Sequence, residues 1–149
     1  MVESRAWRVQ VDLATGGVRS LLWRGAVTRE LADAEREPHL FQAVLRDEAG
    51  PAGRARYTCS HIRFDGAGAR LVVEAALGGG VWRTEFSVDV RQTVLEVRAG
   101  WAGAPGRGAA EVVVPACAEA APEAAWHPER GTVSPPPDGP LVIRLTGLK

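Results

Sequence analysis

The segment from Trp82 to Trp101 constrains the fold more than any other part of the chain, because its side chains alternate in polarity with a period of two. Its apolar side consists of Trp82, Thr84, Phe86, Val88, Val90, Leu95, Val97, Ala99 and Trp101. Such alternation is typical of strands with one buried face, and residues 90–93 can reverse the chain. We predict an antiparallel pair in which Trp82, Phe86, Val88, Leu95 and Val97 form one buried cluster.

Short strands separated by glycine-containing turns are predicted along most of the remaining chain. Their ranges are 5–13, 18–23 with a continuation to 31, 39–47, 55–65, 70–77, 111–115 and 141–145. No segment has a convincing helical period, and only residues 32–37 could form a helical turn. The pattern predicts an all-β fold, an antiparallel β-sandwich of roughly nine or ten short strands.

The composition is that of one globular domain, which we assign to residues 1–149. Hydrophobic residues make up 46% of the chain and charged residues 24%, both close to the averages for globular proteins. Eight of the ten prolines lie between Pro105 and Pro140. We therefore expect an irregular, proline- and alanine-rich excursion at about 118–140.

Charge and hydropathy exclude several kinds of partner. The chain has 18 basic and 18 acidic residues and a formal net charge of zero, which is not the basic surface that nucleic acid requires. No apolar run is long enough to cross a membrane, and the first residues lack the apolar core of a signal peptide. We expect a cytoplasmic protein, or a fragment of a longer chain, without nucleic-acid or membrane partners.

Several segments, taken in order, resemble a known family of β domains. Residues 8–21 (RVQVDLATGGVRSL) are similar to the strand–turn–strand opening of carbohydrate-active β domains, and residues 29–31 (REL) to the segment that follows it. The hairpin at 82–101 and the segment 111–115 (EVVVP) resemble the central sheet. Together they resemble the galactose-mutarotase-like β-supersandwich, as in the C-terminal β region of family 38 glycoside hydrolases, the α-mannosidases.

This resemblance implies a partial supersandwich and an association with carbohydrates, but it transfers no catalytic residue. The zinc site and nucleophile of the α-mannosidases belong to a separate domain. His39, His61 and His127 do not stand in the contexts of the mutarotase histidines. We therefore expect a non-catalytic, carbohydrate-associated module, an accessory or sugar-binding piece of a glycosidase-like protein, with no cofactor.

Two other functions remain open. The chain could be a structural or interaction module, since a partial supersandwich would expose a sheet edge that pairs with a partner chain or with a second copy as a homo-dimer. It could also be a small sugar epimerase that uses His39 or His61.

The ligand-binding candidates are accessible aromatic residues with polar neighbours. A sugar ring stacks on an aromatic side chain while charged side chains bond its hydroxyl groups. The loop residues Trp126, His127, Glu129 and Arg130 fit this requirement best, and Trp23 is a further candidate. The acidic residues Asp65, Glu74, Glu85, Asp89, Glu96 and Glu111 are expected to lie on solvated faces.

The two cysteines are expected to be reduced and mostly buried. Cys59 and His61 project from the same face of one strand, but zinc sites need three or four protein ligands, so we predict no metal site. A disulfide between Cys59 and Cys117 would require neighbouring strands to bring them together, and the lack of a signal peptide favours free thiols.

Overall fold

A computed structural model of the chain describes residues 1–47, 50–66, 68–89, 93–105, 108–115, 117–120, 124–136 and 139–146. These residues form fifteen strands and no helix, which confirms the all-β class. The described residues therefore contain no helix that is long and apolar enough to span a bilayer. The strands are β1 Val2–Glu3, β2 Trp7–Val11, β3 Val18–Arg24, β4 Thr28–Glu30, β5 Ala43–Asp47, β6 Gly50–Arg54, β7 Arg56–Phe64, β8 Gly68–Leu77, β9 Gly80–Asp89, β10 Leu95–Trp101, β11 Ala109–Val113, β12 Glu119–Ala120, β13 Ala125–His127, β14 Thr132–Ser134 and β15 Leu141–Leu145.

The strands pair into three antiparallel sheets that share one core. The large sheet has the order β12-β15-β10-β9-β8-β7, the five-stranded sheet β13-β14-β11-β5-β6 and the four-stranded sheet β1-β2-β3-β4. Apolar side chains from all three sheets, among them Phe86, Val112 and Trp7, belong to a single buried cluster. The architecture is therefore sandwich-like, as the period-two pattern predicts.

The hairpin of β9 and β10 has the predicted antiparallel pairing and buried face. Val88 lies opposite Leu95, and Phe86 lies opposite Val97. These four side chains and that of Trp82 are at most 5% exposed and belong to the core cluster, which confirms the prediction. The reversal predicted at 90–93 falls largely on residues 90–92, which lie outside the described ranges.

Two predicted strands are too long. Leu13 was expected on a buried face but is 69% exposed, because the chain already turns at Asp12, whose carbonyl accepts the Gly16 N–H at 2.9 Å. The predicted strand at 39–47 begins only at Ala43. A turn precedes it, in which Phe41 has a left-handed φ of 57°.

The proline- and alanine-rich segment at 118–140 contains three short strands, β12, β13 and β14. Strand β12 pairs with β15, while β13 and β14 pair with each other and extend the five-stranded sheet. Because each has only two or three residues, none is long enough to show alternation in the sequence. Residues 121–123 and 137–138 of this segment lie outside the described ranges.

The turn between β2 and β3 packs tightly against residues 39–42, which directly precede β5. The Asp12 carboxylate accepts the N–H groups of Ala14 and Thr15 at 2.7 and 3.1 Å. A Cβ atom added at Gly17 would lie 2.8 Å from the Cβ of His39 and 3.0 Å from that of Gln42. The second glycine of the T-G-G turn is therefore required by packing.

We expect Gly17→Ala to destabilise the protein by about 1–3 kcal/mol, because His39 or Gln42 must shift to make room. Urea unfolding followed by intrinsic fluorescence measures the change. Gly139→Ala is the matched control, since a Cβ atom there would meet no atom within 4 Å. Equal effects of the two substitutions would contradict the tight packing at Gly17.

Candidate functional site

A groove of about 430 Å³ lies between the turn that follows β4 and the end of the β13–β14 hairpin. Leu31, Leu40 and Val114 contribute apolar surface to its lining, together with Trp126. Its polar side chains are those of Asp33, Arg36, Cys117 and Arg130. Concave sites of roughly 300–1,000 Å³ with a few polar groups on an apolar lining are typical of small-ligand sites.

Trp126 remains accessible because it lies on the last strand of the five-stranded sheet. It is opposite Val133 in the register, and Val133 is fully buried, so both side chains are on the core-facing side. No strand continues the sheet beyond β13 among the described residues, and the Trp126 side chain is 44% exposed. The indole therefore offers a surface on which a ligand ring can stack.

Arg130 is held in place by two carboxylates. Its Nη2 and Nε donate to the two carboxylate oxygens of Glu111 at 2.5 and 3.2 Å. Its Nη1 donates to Glu129 at 3.0 Å. Three of the five N–H donors of the guanidinium are used in these bonds, which fixes the orientation of the group.

Glu111 is the buried centre of this polar cluster, with a residue exposure of 4%. Its carboxylate also accepts Arg46 Nε at 2.5 Å and Thr132 Oγ1 at 3.0 Å, and His127 Nε2 lies 3.7 Å away. Burial raises the pKa of Glu111, but the hydrogen bonds from Arg130, Arg46 and Thr132 outweigh burial and hold the pKa below its usual range.

The expectation that Glu111 is solvated is therefore wrong. Its side chain points to the outer face of the five-stranded sheet, where Arg46 and Arg130 cover it. Glu74, Glu85 and Glu96 lie on the outer face of the large sheet and are part of surface ion pairs, with side chains 27–30% exposed.

The structure brings two of the five predicted ligand-binding residues into the groove, Trp126 and Arg130. His127 lies on the opposite face of β13, where its Nε2 is 2.9 Å from Ser134 Oγ, and Glu129 is an exposed partner of Arg130. Trp23 belongs to the four-stranded sheet, packs against the core and does not line the groove.

The sequence prediction missed Asp33 and Arg36, which come from the one segment that could form a helical turn. The segment forms a turn instead, in which the Arg36 N–H donates to the Asp33 carbonyl at 3.1 Å. Only the fold brings this turn next to Trp126, so no local signal identifies the two residues. Glu111 had a weak signal, since it is the single charge within a run of alanine and valine.

Both cysteines are free, as predicted, but Cys59 is exposed, so the expectation of a buried thiol is wrong there. Cys59 lies on β7, the outermost strand of the large sheet, and its thiol faces Glu74 Oε2 at 3.8 Å. His61 is exposed on the same strand. The described residues contain no cluster of three or more His, Cys, Asp or Glu that could hold a metal ion.

His39 is buried and lies outside the groove. Its Nε2 is 3.4 Å from the carboxylate of Asp12, in the turn after β2. Burial raises the pKa of Asp12, but hydrogen bonds from Ala14 and Thr15 and the charge of His39 together hold it below its usual value. Neither His39 nor His61 lines the groove, so the geometry provides no observation in favour of an epimerase.

A second groove, of about 540 Å³, lies on the large sheet near the β7–β8 turn. Charged residues of both signs, such as Arg70, Glu96 and Arg144, line it. Glu96 is paired with Arg144 at 3.6 Å and with Arg98 at 3.0 Å. Its described lining includes no aromatic ring, so it lacks a stacking surface.

The Trp126 groove offers an aromatic surface for stacking and side chains that can form hydrogen bonds. Burial raises the pKa of the Cys117 thiol, which disfavours the nucleophilic thiolate. The Glu111 carboxylate is not part of the groove lining; it accepts hydrogen bonds from Arg46, Arg130 and Thr132. No protein-family model, curated protein or solved structure matches the chain.

Proposed function

We propose that this protein is a non-catalytic carbohydrate-binding module and that the groove at Trp126 is its sugar site. The observation that carries the proposal is the exposed indole of Trp126 in one groove with Arg130, whose guanidinium is oriented by the buried Glu111. Aromatic stacking and planar hydrogen-bonding groups are the two interactions with which proteins recognise sugar rings.

The three charged side chains of the groove have roles that match sugar chemistry. Arg36 and Arg130 donate to hydroxyl oxygens, and the Asp33 carboxylate accepts from hydroxyl hydrogens. Because Arg130 is already held by Glu111, little side-chain entropy is lost when a ligand binds it. The volume of about 430 Å³ suits one or two sugar rings.

The resemblance of residues 8–21, 29–31, 82–101 and 111–115 to galactose-mutarotase-like domains supports the same ligand class. In this proposal the chain is an accessory part of a glycosidase-like protein and contributes sugar binding. Its groove offers binding groups, whereas two carboxylates facing each other across the ligand would be needed for hydrolysis.

We expect Trp126→Ala to weaken sugar binding by about tenfold, because the stacking surface is lost. Titration of ¹⁵N-labelled protein with neutral mono- and oligosaccharides at millimolar concentration measures the affinity, and the shifted amides locate the site. The expected shifts are at Trp126, Arg130 and the turn containing Asp33.

Phe64→Ala is the matched control, since Phe64 is 81% exposed and does not line the groove. It should leave sugar binding unchanged. The proposal fails if no sugar shifts the groove amides, or if sugar binds equally well to the Trp126→Ala variant.

A further inference from the structure

Strand β7 is the open edge of the large sheet. It is the outermost strand in the order of that sheet and pairs with β8 alone among the described strands. Eight of its nine residues are exposed, including Ile62 at 39% and Phe64 at 81%. A long exposed edge strand can accept another strand through its main-chain groups.

The first residues of β7 are already covered. The Tyr57 N–H donates to the carbonyl of Ala14 at 3.0 Å, and a bulge shifts the register between Tyr57 and Cys59. From Cys59 to Phe64 the register against β8 is regular. The part of the edge that can accept a strand is therefore Ser60–Phe64.

The direction of the main-chain groups follows from the pairing with β8. In an antiparallel pair, the N–H and C=O of one residue point to the partner strand, and those of the next residue point away. The Asp65 N–H donates to the Gly68 carbonyl at 3.1 Å, and the register continues without a shift back to Cys59. Ser60, Ile62 and Phe64 therefore direct their N–H and C=O groups to the open edge.

The two faces of this edge differ in chemistry. Ser60, Ile62 and Phe64 lie opposite Val73, Leu71 and Ala69 and share the core-facing side of the sheet. His61 and Arg63 lie on the outer side, opposite Val72 and Arg70. Strand β7 itself has no acidic residue, and its outer side presents His61 and Arg63 next to an exposed apolar side. The outer-face carboxylate opposite Cys59, that of Glu74, is paired with Arg83 at 2.8 Å.

We propose that the Ser60–Phe64 edge binds an extended acidic segment of a partner protein as an added strand of the large sheet. The partner's side chains alternate: apolar ones continue the row of Ile62 and Phe64, and carboxylates face His61 and Arg63. A second copy of β7 is disfavoured, because it would add its own Arg56, His61 and Arg63 to a strand that lacks carboxylates.

The probe is an acetylated and amidated peptide of eight residues that alternates valine and glutamate, and the comparison peptide alternates valine and lysine. Binding to the full chain is followed by amide shifts and fluorescence anisotropy. We expect the glutamate peptide to bind at least about tenfold more tightly. The largest shifts should be at Ser60, Ile62 and Phe64. Equal binding of the two peptides, or shifts centred elsewhere, would overturn the proposal.

Ile62→Pro removes the N–H that is directed to the open edge and leaves the hydrogen bonds to β8 intact. Proline is tolerated at such edge positions. We expect it to weaken binding of the glutamate peptide by about tenfold. Ile62→Ala keeps the N–H and should have the smaller effect. If the two variants bind equally well, strand addition is wrong.

If the proline variant is poorly folded, Arg63→Glu provides a second test. It should reverse the relative affinities of the two peptides, so that the lysine peptide binds more tightly. Sedimentation velocity tests whether a second copy of the chain occupies the edge instead. A dimer that forms without peptide and is lost in Ile62→Pro would assign the edge to a second copy and overturn the acidic partner. The sugar site is independent, so Ile62→Pro should leave sugar titrations unchanged.

Discussion

Phe86→Ala is expected to destabilise the protein by about 3–5 kcal/mol, the largest effect of any substitution we consider. Phe86 is fully buried between Leu71 and Val97 of the neighbouring strands. Its ring also packs edge-on against Phe41, with 5.6 Å between the ring centroids. The substitution removes apolar contacts on several sides and leaves a cavity that the β-sheet backbone cannot easily close.

Urea unfolding measures this difference, with Arg83→Ala as the control on the opposite side of the same strand. Arg83 is exposed, and its ion pair with Glu74 at 2.8 Å is a surface pair. Such pairs contribute about 0–1 kcal/mol, so the control should have a small effect. A large loss for Arg83→Ala would mean that the outer face of the large sheet is covered in solution.

Glu111→Gln is expected to destabilise the protein by about 2–4 kcal/mol near neutral pH. The glutamine keeps the shape of the side chain but removes the charge that compensates Arg46 and Arg130. The side chains of these two arginines are 27% and 30% exposed, so water compensates their charges in part, and the loss of stability falls short of that for a fully buried pair.

The effect of Glu111→Gln should also depend on pH. The pKa of Glu111 is lower in the folded state than its ordinary value of 4.5. Its contribution to stability is therefore fully present above the unfolded pKa and is lost as the pH falls through the folded pKa. The difference between wild type and variant should shrink in acid, below that ordinary value.

Unfolding free energies measured near neutral pH and in acid test this prediction. Glu129→Gln is the control, because Glu129 contacts the same arginine but its side chain is 63% exposed. It should change stability much less, because exposed ion pairs contribute little. A difference for Glu111→Gln that stays constant with pH would show that its charge does not stabilise the fold.

The elements of the fold that could be predicted are those with a long local period. The alternation at 82–101 identifies β9 and β10, their pairing and their buried face, because side chains on successive strand residues point to opposite sides. The turn at Thr15-Gly16-Gly17 is likewise a local property. The Asp12 carboxylate and the Thr15 hydroxyl accept backbone N–H groups of the turn, and Gly16 adopts its left-handed φ of 77°. Strands of two or three residues, such as β12, have no period and were missed.

The sequence by itself determined the all-β class and the core of the central hairpin, because these depend on neighbours along the chain. Tertiary structure alone decided that Glu111 is buried beneath two arginines and that Asp33 and Arg36 join Trp126 in one groove. It also decided that β7 ends its sheet, so a predicted strand is exposed on both faces. The physical reason is the same in each case. Burial and site composition depend on which segments pack together, and the local sequence of a segment does not indicate which distant segment it will contact.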